Sequence, residues 1–328
     1  MTLTLDTEEI TSAHYKTIVI PKIRLIDGEE RRVGQRIIHE PCEELKALQK
    51  EILREIEECR SAFTSNVSHA FTKNRSIVTM AAPHVGSRYL VKVDIKDYFP
   101  SIDKQKARVA LLNAGYPTAL IRKILKYCFL NDVLPQGAPT SPAIANVVGR
   151  IIDKRMLGLT KKWRLHARPV RRGRRSTAVT DTLKNMSRIE PIVYTRYADD
   201  LVFTSDYPLL HHIRYPVTYI LQQCGFTAHP DKVVTASSPR RLVVCGVTIN
   251  SKLSKPRPYR RRLRAMVHRM WVETVTGSSR SGTIIDAVTN EPVTIEQLWG
   301  QVAHVYQINP TQAIPLEIKL REIKEALK

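Results

Sequence analysis

From residue 14 to residue 40, apolar and basic side chains alternate on either side of Asp27-Gly28, a pattern that predicts two strands joined by a tight turn. A helix follows, with Pro41 suited to its first turn and Leu45, Leu48, Ile52 and Ile56 recurring on one face to about Arg60. Leu90, Val91, Val93 and Ile95 carry strand propensity while Lys92, Asp94 and Lys96 share one face, so Asp94 projects from the polar side. Asp103 suits the cap of a helix ended by Gly115, Pro117 opens another through Leu130, and Ser141-Pro142 start a third through Asn146 and Ile152. Ile192 to Tyr197 and Leu201 to Thr204 are rich in β-branched and aromatic residues, which predicts a hairpin with Asp199 and Asp200 at its tip. Beyond it the pattern predicts a helix over 209–224, a hairpin strand over 242–249, a loop over 278–292 and closing helices over 295–306 and 316–327. Helices and strands alternate without a βαβ phosphate loop or an internal repeat, which suits an α+β fold.

Two adjacent carboxylates at a turn repel one another unless a cation neutralises them, and hard divalent ions are bound by one or two carboxylates together with substrate phosphates. An isolated Asp-Asp pair is usually a solvated turn. Asp94, about a hundred residues upstream, supplies the second half of a cradle for two ions, the arrangement used for in-line phosphoryl transfer.

Charge narrows the partners. The 328 residues carry a formal net charge of +21, which calls for an anionic partner, nucleic acid first, and salt-dependent binding. No apolar run reaches membrane-spanning length and the polar N-terminus lacks a signal-peptide core, so a soluble, cytoplasmic protein with no membrane partner is expected. Cys42, Cys59, Cys128, Cys224 and Cys245 lack paired metal spacing and read as reduced thiols. His211-His212 has no acid or Cys at ligand spacing and reads as surface.

Two basic segments stand apart. Lys161 to Arg175 includes Arg168, Arg171, Arg172, Arg174 and Arg175, with Pro169 and Gly173 against a regular helix. It reads as a loop that either orders on RNA or stays a solvated charged segment. Lys255 to Arg269 instead sets Arg257, Arg260, Arg261 and Arg264 beside Leu263, Met266, Val267 and Met270 at helical spacing. One face packs inward and the other presents cations.

Three stretches together resemble the reverse transcriptases, and within them the bacterial retron enzymes: Val93-Asp94-Ile95-Lys96-Asp97-Tyr98-Phe99-Pro100, Leu134-Pro135-Gln136-Gly137-Ala138-Pro139-Thr140-Ser141-Pro142 and Tyr197-Ala198-Asp199-Asp200. The resemblance runs from about Lys22 to about Asn250. It implies a right-hand polymerase: fingers over 1–90, a palm over 91–254 whose antiparallel sheet carries the Tyr-Ala-Asp-Asp hairpin and which holds an Arg-rich insertion at 160–190, and a helical thumb over 255–328. It implies Asp94, Asp199 and Asp200 as catalytic acids; Asp94, Ile95, Asp199 and Asp200 as the set around two Mg²⁺ ions, with Mn²⁺ as a substitute; and Arg36, Phe99, Gln136 and Lys232 around the incoming dNTP, Phe99 excluding a 2′-hydroxyl. The thumb arginines are expected on a template-primer duplex. Two retron positions differ: an Asn-Ala-x-His pattern is matched by Ala81-Ala82-Pro83-His84 and a Val-Thr-Gly by Val244-Cys245-Gly246, so the Asn and the Thr are replaced.

The implied activity is copying part of a cognate structured noncoding RNA into a branched RNA-DNA hybrid (msDNA), primed from an RNA 2′-hydroxyl. An accessory effector protein in antiphage defence and higher-order assembly come with the same resemblance. A group II intron-like or other bacterial reverse transcriptase is the neighbouring reading. A non-polymerising structured-RNA-binding scaffold is the reading from a different class.

Overall fold

The computed structural model describes residues 10–26, 29–60, 65–166, 192–206, 208, 210–278 and 281–328. They fall into two compact units. One comprises the segment ending at Ser76 together with Ser87–Ser237, and the other comprises Ile77–Gly86 with Ser238–Lys328.

In the first unit, β1 (Tyr15–Ile26) and β2 (Glu29–Pro41) form the predicted antiparallel pair. Pro41 pairs with Tyr15 as the last residue of β2, so it does not open the helix. Helix α1 (Glu43–Arg60) begins instead with Glu43 and Glu44, whose charges suit a helix N-terminus. Its inner stripe includes fully buried Leu45, Ile52 and Ile56, plus Gln49, whose amide donates to Tyr15 Oη at 3.0 Å and to the Tyr127 carbonyl at 2.8 Å.

Strands β3 (Tyr89–Asp94), β4 (Val193–Tyr197), β5 (Asp200–Ser205) and β6 (Val234–Ser237) make one sheet in the order β4-β5-β3-β6, antiparallel throughout. The expected α+β class with an antiparallel sheet therefore holds. Val91, Val93, Leu201 and Phe203 are fully buried. They share a core with Leu111 of α3 (Lys104–Asn113), Ile124 of α4 (Thr118–Tyr127), Ile144 and Ile152 of α5 (Ser141–His166) and Val217 of α6 (Arg214–Gln223).

Asp103 caps α3 as expected, accepting from the Lys106 N–H at 2.7 Å. Helix α4 stops three residues short of Leu130, because Asn131 and Asp132 take left-handed φ of 48° and 63° to make a turn that bonds Leu130 to Val133. Helix α5 runs on to His166, so the first residues of the Lys161 to Arg175 segment are helical and not a loop. The helix expected over 209–224 divides into a 3₁₀ turn, Leu210–Ile213, and α6.

The second unit contains a short helix, α2 (Ile77–Ala81), and the tight pair β7 (Val243–Val244) and β8 (Val247–Thr248). Three longer helices share its core: α7 (Arg257–Val275), α8 (Ile295–Ile308) and α9 (Pro310–Ala326). Val267, Leu298 and Leu320 are buried at its centre. Thr294 and Gln297 form a reciprocal capping box at the start of α8. Helix α9 starts six residues before the expected Leu316 and takes Pro315 inside it. The segment expected as a loop over 278–292 holds strand β9 (Thr283–Ile285), which pairs with β10 (Pro292–Thr294). Ile284 and Val293 are buried, but three residues per strand are too few for alternation to register in sequence. No helix among the described residues is long and apolar enough to cross a membrane.

Candidate active site

The β4–β5 hairpin turns through Ala198-Asp199, with Tyr197 opposite Asp200 in the ladder. Ala198 has φ of +54°, which a two-residue hairpin turn demands and an L-residue resists. Two contacts hold the turn. The Ile95 N–H donates to the Asp199 carbonyl at 3.0 Å, and Arg196 Nη1 donates to the Ala198 carbonyl at 3.1 Å.

Register does the rest. Asp94 is the direct partner of Asp200 at the end of the β3–β5 ladder, so the chain's two acidic segments converge at one end of the two inner strands. Burial, followed by the charges of Asp94 and Asp200, pushes the Asp199 carboxyl up from 3.8 to about 6, although its own backbone N–H and Lys232 pull the other way. Lys232 arrives through the 3₁₀ turn Pro230–Lys232: the His229 N–H donates to the Asp94 carbonyl at 2.7 Å, and Lys232 Nζ then reaches both oxygens of Asp94, at 2.9 and 3.1 Å. Lys92 lies 3.9 Å from Asp200.

Among the described residues, no three Asp, Glu, His or Cys side chains are posed to hold a metal ion together. The donor chemistry nevertheless fits a hard divalent cation. The carboxylates offer only oxygen acceptors, their mutual charge disfavours ionisation of Asp199, and an ammonium already bridges the oxygens of Asp94.

Between the ordinary carboxyl value of 3.8 and about 6, folded Asp199 keeps a proton that the unfolded chain has released. Its contribution to stability is therefore present below 3.8 and lost as pH rises through about 6. Asp199→Asn should stabilise metal-free protein at pH 7 by on the order of 1–2 kcal/mol after allowing for partial exposure, raising its melting temperature, with the gain vanishing below pH 4. Melting curves at both pH values check this, and an unchanged or lower midpoint at pH 7 contradicts it.

Arg36 and Gln136 come together in a second place. A cavity of about 310 Å³ is lined by both, along with His39, Asp97, Pro100 and Leu134. The loop carrying Gln136 is pinned to β2 by the His39 N–H donating to the Gln136 carbonyl at 2.7 Å. Gly137, at φ of +122°, allows this approach, since a Cβ there would sit 2.6 Å from Ile38 Cγ2 and 2.9 Å from the His39 carbonyl. Phe99 lies outside that lining; its half-buried ring meets Phe71 edge-on at 6.3 Å and Tyr98 at 5.9 Å. Arg257, Arg261 and Arg264 lie on the exposed face of α7, while Arg260 is half-buried with Nε donating to the Lys255 carbonyl. Arg168, Arg171, Arg172, Arg174 and Arg175 lie outside the described residues.

The sequence reading missed the support beneath the hairpin. Arg196 is fully buried and makes a two-point ion pair with Asp153 of α5, at 2.8 and 2.9 Å, while Tyr194 Oη donates to the same carboxylate at 2.8 Å. Gly149 leaves room for it: a Cβ there would stand 2.6 Å from the guanidinium and 2.8 Å from Tyr98 Oη. The one available signal was a lone arginine within a strand run of β-branched and aromatic residues.

The family description "Reverse transcriptase (RNA-dependent DNA polymerase)" matches residues 28–249. The Retron Mx65 reverse transcriptase of Myxococcus xanthus is 32% identical over 319 residues, covering 92% of this chain and 62% of that protein. The Retron Ec86 reverse transcriptase of Escherichia coli is 33% identical over 178 residues, covering 54% of this chain and 46% of that protein. The chain thus spans less than two thirds of the length of either relative. Telomerase from Candida albicans, solved with a TWJ fragment of telomeric RNA, aligns at 10% identity and a TM-score of 0.47, covering 100% of this chain and 61% of that one. With two thirds of its length matched by the family description and its acids gathered at one end of the inner strands, the chain belongs to the reverse transcriptase family.

Proposed function

We propose that this chain is the RNA-directed DNA polymerase of a retron, with Asp94, Asp199 and Asp200 as its catalytic acids. The observation that carries the reading is the β3–β5 register, which pairs Asp94 with Asp200 beside the Asp199 turn in a chain of this family. Mg²⁺ bound by these carboxylates and the Ile95 main chain, as two ions, would supply Lewis-acid activation of the attacking hydroxyl and neutralise charge on the triphosphate. In that role Asp94 would give up its contact with Lys232, and the ammonium would be free for phosphate oxygens. Arg36 offers a planar fork to the triphosphate, and Gln136 borders the same cavity. In this reading the first 90 residues serve as fingers, 91–254 as palm and 255–328 as thumb, with Arg257, Arg260, Arg261 and Arg264 contacting duplex phosphates without reading sequence. The arginines at 168–175 contact the cognate noncoding RNA.

Phe99 is the sugar gate in this account. Phe99→Val should raise ribonucleotide incorporation relative to deoxyribonucleotide by on the order of tenfold or more, read by primer extension with each substrate. Unchanged discrimination rejects the gate.

The retron assignment predicts the product. Nucleic acid recovered with the purified chain should contain DNA that survives RNase and is released from its RNA stub by debranching enzyme. Linear RNA without attached DNA, from a chain that extends primers, would favour another bacterial reverse transcriptase. Synthesis of branched msDNA, an effector partner and a role in antiphage defence rise or fall with that result.

A further inference from the structure

We propose that the outer face of α6 is a stacking platform for single-stranded nucleic acid, built from Tyr215 and Tyr219 with the Arg214 guanidinium laid on the first ring. The platform is rigid from beneath: Leu210, Ile213, Val217 and Leu221 are all fully buried and anchor the helix and its preceding turn. On the opposite face Tyr215 is 62% exposed and Tyr219 59%, the most exposed large apolar side chains among the described residues. Their spacing of four residues places both rings on one side of the helix, with Cβ atoms about 6 Å apart. Successive bases of an extended strand can each take one ring.

The electrostatics choose the partner. Arg214 Cζ lies 4.6 Å from the centre of the Tyr215 ring and its Nη2 donates to Tyr215 Oη at 2.6 Å, so a planar cation and an aromatic face are already paired. The exposed rings of His211 and His212, 4.1 Å apart, lie just ahead. No Asp or Glu occurs from Pro208 to Pro230. Flat aromatic faces beside the Arg214 guanidinium, with no carboxylate in the segment, suit bases and phosphates better than the apolar surface of a protein partner. None of these residues belongs to the carboxylate cluster or the Arg36 cavity, so the platform goes beyond the polymerase reading and does not depend on it.

The test uses the full chain and fluorescent oligouridylate or oligothymidylate of about twelve nucleotides, read by anisotropy. Tyr215→Ala with Tyr219→Ala should weaken binding at least tenfold, because each stacked ring is worth roughly five- to a hundredfold. Tyr215→Phe with Tyr219→Phe should stay near wild type, because the ring face makes the contact. Arg214→Glu, a second route that leaves both rings in place, should also weaken binding. A 4-thiouridine oligomer should crosslink to the peptide spanning 214–223. Loss with RNA alone, or with both RNA and DNA, supports the platform and tells which strand it takes. Binding unchanged in the alanine variant overturns it. So does an alanine variant that keeps oligonucleotide binding but loses self-association in sedimentation, which would assign the face to a second copy of the chain.

Discussion

Asp199→Ala combined with Asp200→Ala abolishes primer extension, with a loss of at least about a thousandfold, while the protein still folds and binds primed RNA. The magnitude follows from the role proposed for the acids. Stabilising the charge that develops in phosphoryl transfer is worth several kcal/mol, and each 1.4 kcal/mol is about tenfold in rate. The structure separates this loss from unfolding. Asp199 is held with its carboxyl raised to about 6, so removing it relieves a buried charge at neutral pH. Activity and stability should therefore move in opposite directions at this position, which a residue needed only for packing would not show. Single-turnover extension beside a melting curve checks both. Extension surviving the double change would place the chemistry elsewhere.

Arg196→Met has the second large effect, and here activity and stability fall together. The substitution leaves Asp153, 1% exposed, with the Tyr194 hydroxyl but without its cation, and losing one member of a buried pair costs roughly 3–5 kcal/mol. Melting should drop by roughly 6–15 °C. Below that midpoint kcat should still fall on the order of a hundredfold with little change in KM for dNTP, because the Ala198 carbonyl loses its donor and the acid-bearing turn shifts. Adding Asp153→Leu should recover much of the stability without the activity, since it removes the stranded charge but not the lost tether. Gly149→Ala offers a gentler version: helix propensity alone predicts a gain of about 1 kcal/mol, yet its Cβ would lie 2.6 Å from the pinned guanidinium. A net loss is expected. Arg196→Met protein with wild-type melting and kcat would show that the pair does not hold the hairpin.

The parts of this site that were legible in the sequence are those encoded over short distances. The two acidic strands announce themselves by β-branched residues around a turn, and the ladder then sets Asp94 against Asp200. Arg36 and Gln136 were reached only through family resemblance, and they line one cavity because β2 and the Gln136 loop, far apart in sequence, are brought together with a backbone bond between them. Lys232 meets Asp94 across 138 positions, and Arg196 meets Asp153 across 43. No periodicity encodes such pairings. A charged residue in a helix or strand reads as solvated until tertiary packing buries it beside its counter-ion. The β9–β10 pair escaped for a different reason, because three-residue strands closed by an Asp286 turn look like any polar loop.

Templated DNA synthesis on RNA is tested by extension of a labelled DNA primer annealed to a defined RNA, using the purified chain with dNTPs and Mg²⁺. The expected result is elongation to the template's 5′ end, dependent on dNTPs and lost when the RNA is digested beforehand. Folded wild-type chain that binds the primed RNA yet adds no nucleotide with Mg²⁺ or Mn²⁺ would contradict it.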